Sequence, residues 1–142
     1  MRAPIIRIRV SRLTSLLFAL ASVNVHAADQ KIPVTIDCTV RPEDFVGQRV
    51  CSALRDALAS SPRYSDGAGT EKHWKLYVIS VPDDVVQGTV MSSAQAVSLT
   101  FETNADELYI QTWAYITGSS ITKMRADAIF AAVDDEIHHF VK

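Results

Sequence analysis

Apolar and polar residues alternate over residues 34–40. Val34, Ile36, Cys38 and Val40 fall on one side, Thr35, Asp37 and Thr39 on the other. Period two predicts a strand with one buried face. The period then lengthens: Val46, Val50, Leu54 and Leu58, with Ala53 and Ala57, form one apolar helical stripe. Pro42 suits the first helical position, with Glu43 and Asp44 in a first turn where the helix dipole favours acids. Ser60-Ser61-Pro62 ends that helix, and the polar residues 61–71, with Pro62, Gly67 and Gly69, read as a connection. Residues 73–81 return to period two, with Trp74, Leu76 and Val78 opposite Tyr77, Ile79 and Val81. A strand apolar on both faces predicts a central place in a sheet, with Lys75 toward a partly open end. Pro82-Asp83-Asp84 closes it, and residues 85–93 read as a loop or an irregular approach to the next strand.

Residues 95–103 alternate again, with Val97, Leu99 and Phe101 on one side, and residues 104–107 form a hairpin-type connection. Residues 108–117 read as one long strand. Leu108, Ile110, Ala114 and Ile116 share its aliphatic face; Tyr109, Gln111, Trp113, Tyr115 and Thr117 share the other. After Gly118-Ser119-Ser120, residues 121–141 read as a final helix whose stripe includes Met124, Ala128, Val133, Ile137 and Phe140. The order β-α-β-β-β-α predicts an α+β fold, a two-layer sandwich of a mixed sheet with two helices on one face. The first two strands, joined through a helix, are expected to run parallel, and the last two to form an antiparallel hairpin. The helices are expected over the aliphatic face of the last strand, which leaves its aromatic face open.

The start of the chain adds a location. Arg2, Arg7, Arg9 and Arg12 precede a short apolar stretch over residues 13–21, and Val25-His26-Ala27 offers a cleavage site. This is the three-part pattern of a secretory signal peptide over residues 1–27, too short to span a bilayer. The mature chain is then one α+β domain over residues 28–142, expected in the periplasm or secreted. Four of the 14 basic residues leave with the leader, and the ten that remain face 16 acids, a net charge of −6. Such a domain has no electrostatic footprint for nucleic acid and no attraction to anionic membrane, and it suits a basic partner.

Cys38 and Cys51 are the only cysteines. An even count in an exported chain predicts a disulfide. Cys38 lies about 13 Å back along its strand from Pro42, and Cys51 about as far along the helix, so a helix folded over its own strand brings them level. An ordinary helix–sheet spacing leaves a Cα separation of roughly 8 Å, above the limit of about 7 Å for a disulfide. Gly47, one turn before Cys51, would permit the closer approach. The spacing is not the Cys-x-x-Cys of a redox centre.

No catalytic motif stands out. The serines lack a Gly-x-Ser-x-Gly setting, and Gly67-Ala68-Gly69 lacks the continuation of a phosphate loop. His138 and His139 follow Asp134, Asp135 and Glu136, but adjacent helical histidines point about 100° apart, so a solvated helix end is expected, with no metal and no cofactor. The aromatic face of the last strand is the candidate partner-binding surface: Tyr109, Gln111, Trp113 and Tyr115, rich in the ring types of binding hot spots. Its alternatives are a small core against residues 85–93 and a homodimer contact.

Residues 51–64, with Leu54, Leu58 and Ser61-Pro62-Arg63-Tyr64, followed by the strand at residues 74–81, resemble the amino-terminal part of periplasmic α/β domains of the TolB amino-terminal and CsgG type. In these a helix ends in a similar small-Pro-basic-aromatic turn before a strand. The chain departs from them in having no propeller and no lipid-attachment cysteine. The resemblance implies a non-catalytic assembly or partner-binding role in the cell envelope and transfers no functional residue. The sequence thus reads as an exported, non-enzymatic protein-binding or envelope-assembly module. An inhibitor or immunity protein against a periplasm-targeted enzyme is the alternative. A small hydrolase or ligand-binding domain is the rival from another class.

Overall fold

The computed structural model describes residues 30–141, so the leader over residues 1–27 lies outside the described part. The elements are β1 (Ile32–Val40), α1 (Phe45–Ser60), β2 (Tyr64–Asp66), β3 (His73–Val86), β4 (Thr89–Glu102), β5 (Glu107–Gly118) and α2 (Thr122–Phe140). The five strands form one mixed sheet in the order β2-β1-β3-β4-β5. β1 runs parallel to both β2 and β3, and β3, β4 and β5 follow as antiparallel neighbours. Both helices contribute to a single core against one sheet face. Val50, Leu54, Ile129, Val133 and Ile137 meet Val34, Leu76, Val78, Val97 and Leu99, all buried. This is the expected α+β sandwich, with β3 at its centre.

Three local features depart from the pattern reading. Residues 64–66 add a short strand, β2, held beside β1 by Ile32 N donating to Arg63 O at 2.9 Å and Gly67 N donating to Val34 O at 3.0 Å. Three residues are too few to show a period. Second, α1 begins at Phe45, and Asp44 is its N-cap, its carboxylate accepting from Gly47 N at 2.8 Å. Pro42 and Glu43 therefore lie before the helix, because a capping carboxylate satisfies an orphan amide that an acid inside the first turn does not. Third, β3 and β4 continue through residues 82–93 as a hairpin closed at Gln87-Gly88. Both turn residues have positive φ, 50° and 78°, the conformation that matches the strand twist and that Gly88 adopts without strain.

The N-terminus of α1 presses onto the sheet. Gly47 is buried, and a Cβ there would overlap the Ser80 hydroxyl and the Asp44 carboxylate. Asp44 is wholly buried and accepts from Ser80 Oγ at 2.7 Å and from Ser93 Oγ. Gln95 donates to Ser80 Oγ at 3.4 Å and accepts from Thr117 Oγ1 at 2.5 Å. A buried polar chain thus runs from the helix cap across β3 and β4 to β5, each hydroxyl partnered. One turn on, Cys51 reaches Cys38 in a disulfide with Cα atoms 6.4 Å apart. The helix sits close enough to bridge where an ordinary spacing would not.

Candidate interaction surface

Among the described residues nothing covers the face of the sheet opposite the helices. Its composition follows from the strand registers. Ile79 on β3 lies beside Ala96 on β4, which lies beside Ala114 on β5. The next row is Val81, Ala94 and Ile116. Ile79 is 54% exposed, Val81 39% and Ile116 61%, so two adjacent rows across three strands present an apolar patch to solvent. Scattered exposed aliphatics are ordinary; a contiguous set on a sheet face makes a candidate interaction surface.

Charge borders the patch along β3 and β4. Glu102 accepts from Lys75 Nζ at 2.9 Å and from the Tyr77 hydroxyl at 3.2 Å, and its other oxygen lies 3.1 Å from His73 Nε2. The Lys75 ammonium sits 4.4 Å from the centre of the Tyr77 ring. The hydrogen bond from Lys75 holds the Glu102 carboxyl below its ordinary value. The open face therefore grades from a charged end to an apolar one.

The residues singled out on the last strand are split by the structure. Leu99 pairs with Gln111, but its neighbour Thr100 pairs with Tyr109, so Ile110 is an extra residue in β5. A bulge of this kind reverses side-chain alternation beyond it. Tyr109 consequently shares the open face and is 61% exposed. Gln111, Trp113, Tyr115 and Thr117 pair with Leu99, Val97, Gln95 and Ser93, all buried on the helix side. Trp113 and Tyr115 pack half-buried against the core, with the Arg125 guanidinium 5.0 Å from the Tyr115 ring centre. The expectation of one open aromatic face, with helices over Ala114 and Ile116, is thus reversed. The signal that pointed the right way was the partner strand. Ala94 and Ala96 stand opposite the core positions Gln95 and Val97, so their neighbours Ile116 and Ala114 share the face of small residues.

The acidic–histidine run of α2 is divided as well. Asp134 accepts both bonds of Arg63 Nη1, at 2.9 and 2.8 Å, and a third from the Tyr64 hydroxyl. Burial, and then that bond to Asp134, pushes the Tyr64 hydroxyl pKa up. His138 Nδ1 lies 3.3 Å from Arg63, whereas His139 Nδ1 lies 2.8 Å from its own helix at Asp135 O. Between the helices an open groove of about 810 Å³ is lined by charged residues, among them Arg49, Asp56, Lys123 and Asp127, and by apolar ones such as Ala53, Pro62 and Phe130. A smaller apolar dimple of about 380 Å³ lies between Trp74, Phe101, Leu108 and Phe140. Among the described residues no helix is long and apolar enough to cross a membrane. No protein-family model matches this chain, and no curated protein matches it in sequence.

Proposed function

We propose that this protein is an exported, non-enzymatic binding module of the cell envelope, and that the open sheet face is where it meets a partner protein. The observation that carries the reading is the pair of apolar rows, Ile79–Ala96–Ala114 and Val81–Ala94–Ile116, exposed on the sheet face that carries no helix. An apolar centre beside the polar rim of Lys75, Tyr77 and Glu102 has the anatomy of a protein interface. The resemblance of residues 51–81 to periplasmic assembly domains and the Cys38–Cys51 disulfide support a place outside the cytoplasm.

A photo-crosslinking residue in place of Ile79 is expected to give a discrete adduct with another protein in cells, and the same residue in place of Asp56, in the groove between the helices on the other side of the sheet, is expected to give none. Adducts of equal yield at both positions, or at neither, would overturn this reading.

A further inference from the structure

The two edges of the sheet are unlike. One ends in the three-residue β2. The other is β5, twelve residues long, and from Leu108 to Gly118 it holds no charged residue and no proline. Natural edge strands are ordinarily blunted by charge, proline or short length. β5 has two such devices, the bulge at Ile110 and, near its other end, the Arg125 guanidinium of α2, which donates to Ile116 O. Beyond the bulge, Gln111 to Thr117 is a regular, uncharged stretch.

Which backbone groups of this stretch point away from β4 follows from one hydrogen bond. Ser119 N donates to Met91 O at 2.8 Å, so Ser119 turns toward the β4 end. Antiparallel pairing alternates, so Thr117, Tyr115, Trp113 and Gln111 also direct their N–H and C=O to β4. Thr112, Ala114 and Ile116 direct theirs outward. The Arg125 guanidinium confirms the phase: it donates to Ile116 O at 3.2 Å, which a side chain reaches only from the outer side.

We propose that β5 pairs antiparallel with β5 of a second copy of this chain, about a two-fold axis at Ala114. The stretch between the bulge and Gly118 is centred on Ala114. Pairing about that residue sets Ala114 against Ala114, Thr112 against Ile116, Trp113 against Tyr115 and Gln111 against Thr117. Outward backbone groups then meet outward groups, with Thr112 N–H of the second copy taking the place on Ile116 O that the Arg125 guanidinium holds in the single chain, and each side chain meets one on its own face of the sheet. The two Trp113–Tyr115 contacts would finish burying rings that the helix layer leaves half-covered, and no like charges meet across the strands. A second copy supplies this strand already formed, whereas a flexible peptide would have to be ordered first. The two open faces would join into one ten-stranded surface. Seven residues a side is well below the roughly 20–30 of a standard interface, so the dimer is expected to be concentration-dependent.

The β5 edge is separate from the open face, so its pairing is independent of the proposed partner. Sedimentation of the oxidised protein from about 1 μM to about 1 mM is the test, since that range brackets weak association. Wild type is expected to pass from monomer to dimer. Ala114→Pro removes an outward amide without touching the β4 ladder and is expected to weaken the dimer at least about tenfold. Ala114→Lys, which sets like charges against each other at the axis, is expected to do the same with folding unaffected, and it decides the matter if the proline variant unfolds. Thr112→Lys and Ile116→Glu, each weakening alone, are expected to restore association when combined, because this register brings them together. A monomer throughout the range, or a dimer indifferent to both Ala114 variants, would overturn the proposal. So would a dimer that both singles weaken and the combination fails to restore.

Discussion

The two margins of the sheet are finished differently. At the β1–β2 side the chain secures its own edge. α1 is bonded to β1 through Cys38–Cys51, and β2 is anchored by Tyr64 and Arg63 on Asp134 of α2. At the β5 side the strand is held by its ladder to β4, and Tyr115 lies under a single guanidinium. The N-terminus of α1 sits between the two and reaches both, through Asp44, Ser80, Ser93, Gln95 and Thr117. The cross-links are concentrated at the β1–β2 margin, and the buried polar chain ties the β5 margin to it.

Breaking the connection between the margins should have the largest effect. Asp44→Ala removes a helix cap, about 1 kcal/mol, and strands the hydroxyls of Ser80 and Ser93, about 1–3 kcal/mol more. A loss of about 3 kcal/mol is expected, read from the urea midpoint with the disulfide intact. A loss below 1 kcal/mol would mean that water replaces the carboxylate and that the chain does not couple the two sides.

Reducing the disulfide should separate the margins. The bridge spans 13 residues, and a loop of that size contributes about 3 kcal/mol on the chain-entropy model. Hydrogen exchange is expected to accelerate first in β1 and α1, with the β4–β5 ladder protected until global unfolding. Equal acceleration in β5 would remove the distinction drawn between the two sides.

This distinction was partly legible in the sequence. Period two over residues 34–40 and 73–81, and the stripe Val46–Val50–Leu54, carry the fold, because burial imposes one period on many residues at once. The disulfide followed from the same elements, with Gly47 as the close-approach residue. Gly47 does make a close approach, although the group it presses on is Ser80 of β3 and not the first strand. The sidedness of β5 was not legible. One inserted residue at Ile110 changes no composition and breaks no apolar run, yet it reverses which side chains face the core. The uncovered patch was hidden for a related reason. Ile79 and Val81 read as the second buried face of a central strand, and only the lack of a layer above them among the described residues makes that face a surface. The capping role of Asp44 was missed because Pro42 marked an earlier helix start.

Smaller perturbations test each margin by itself. Tyr64→Phe removes one donor to Asp134 while Arg63 keeps its two bonds, so about 1 kcal/mol is expected, confined to β2 and the end of α2. On the open face, Glu102 is held below its ordinary value of 4.5 in the folded state. A carboxyl depressed on folding contributes stability above its unfolded value and loses it as pH falls through the folded one. The denaturation midpoint should therefore decline below pH 4.5, and Glu102→Gln should flatten that part of the profile.

The smallest expected effect on stability belongs to the residue that matters most to the proposed function. Ile79 is more than half exposed and lies away from the core and from the β5 edge. Ile79→Ser should leave the melting temperature within the range of an ordinary surface change, about 0.5 kcal/mol, and leave sedimentation as in wild type. A crosslinker placed at Val81, in the next row, should nevertheless lose its adduct, because the apolar centre of the contact is gone while its charged rim remains. If stability falls by 2 kcal/mol instead, something covers Ile79 in the native protein, and the open face is part of a core. If the adduct survives with stability unchanged, partner binding lies elsewhere, and the contrast between a secured margin and an available surface is one of folding alone.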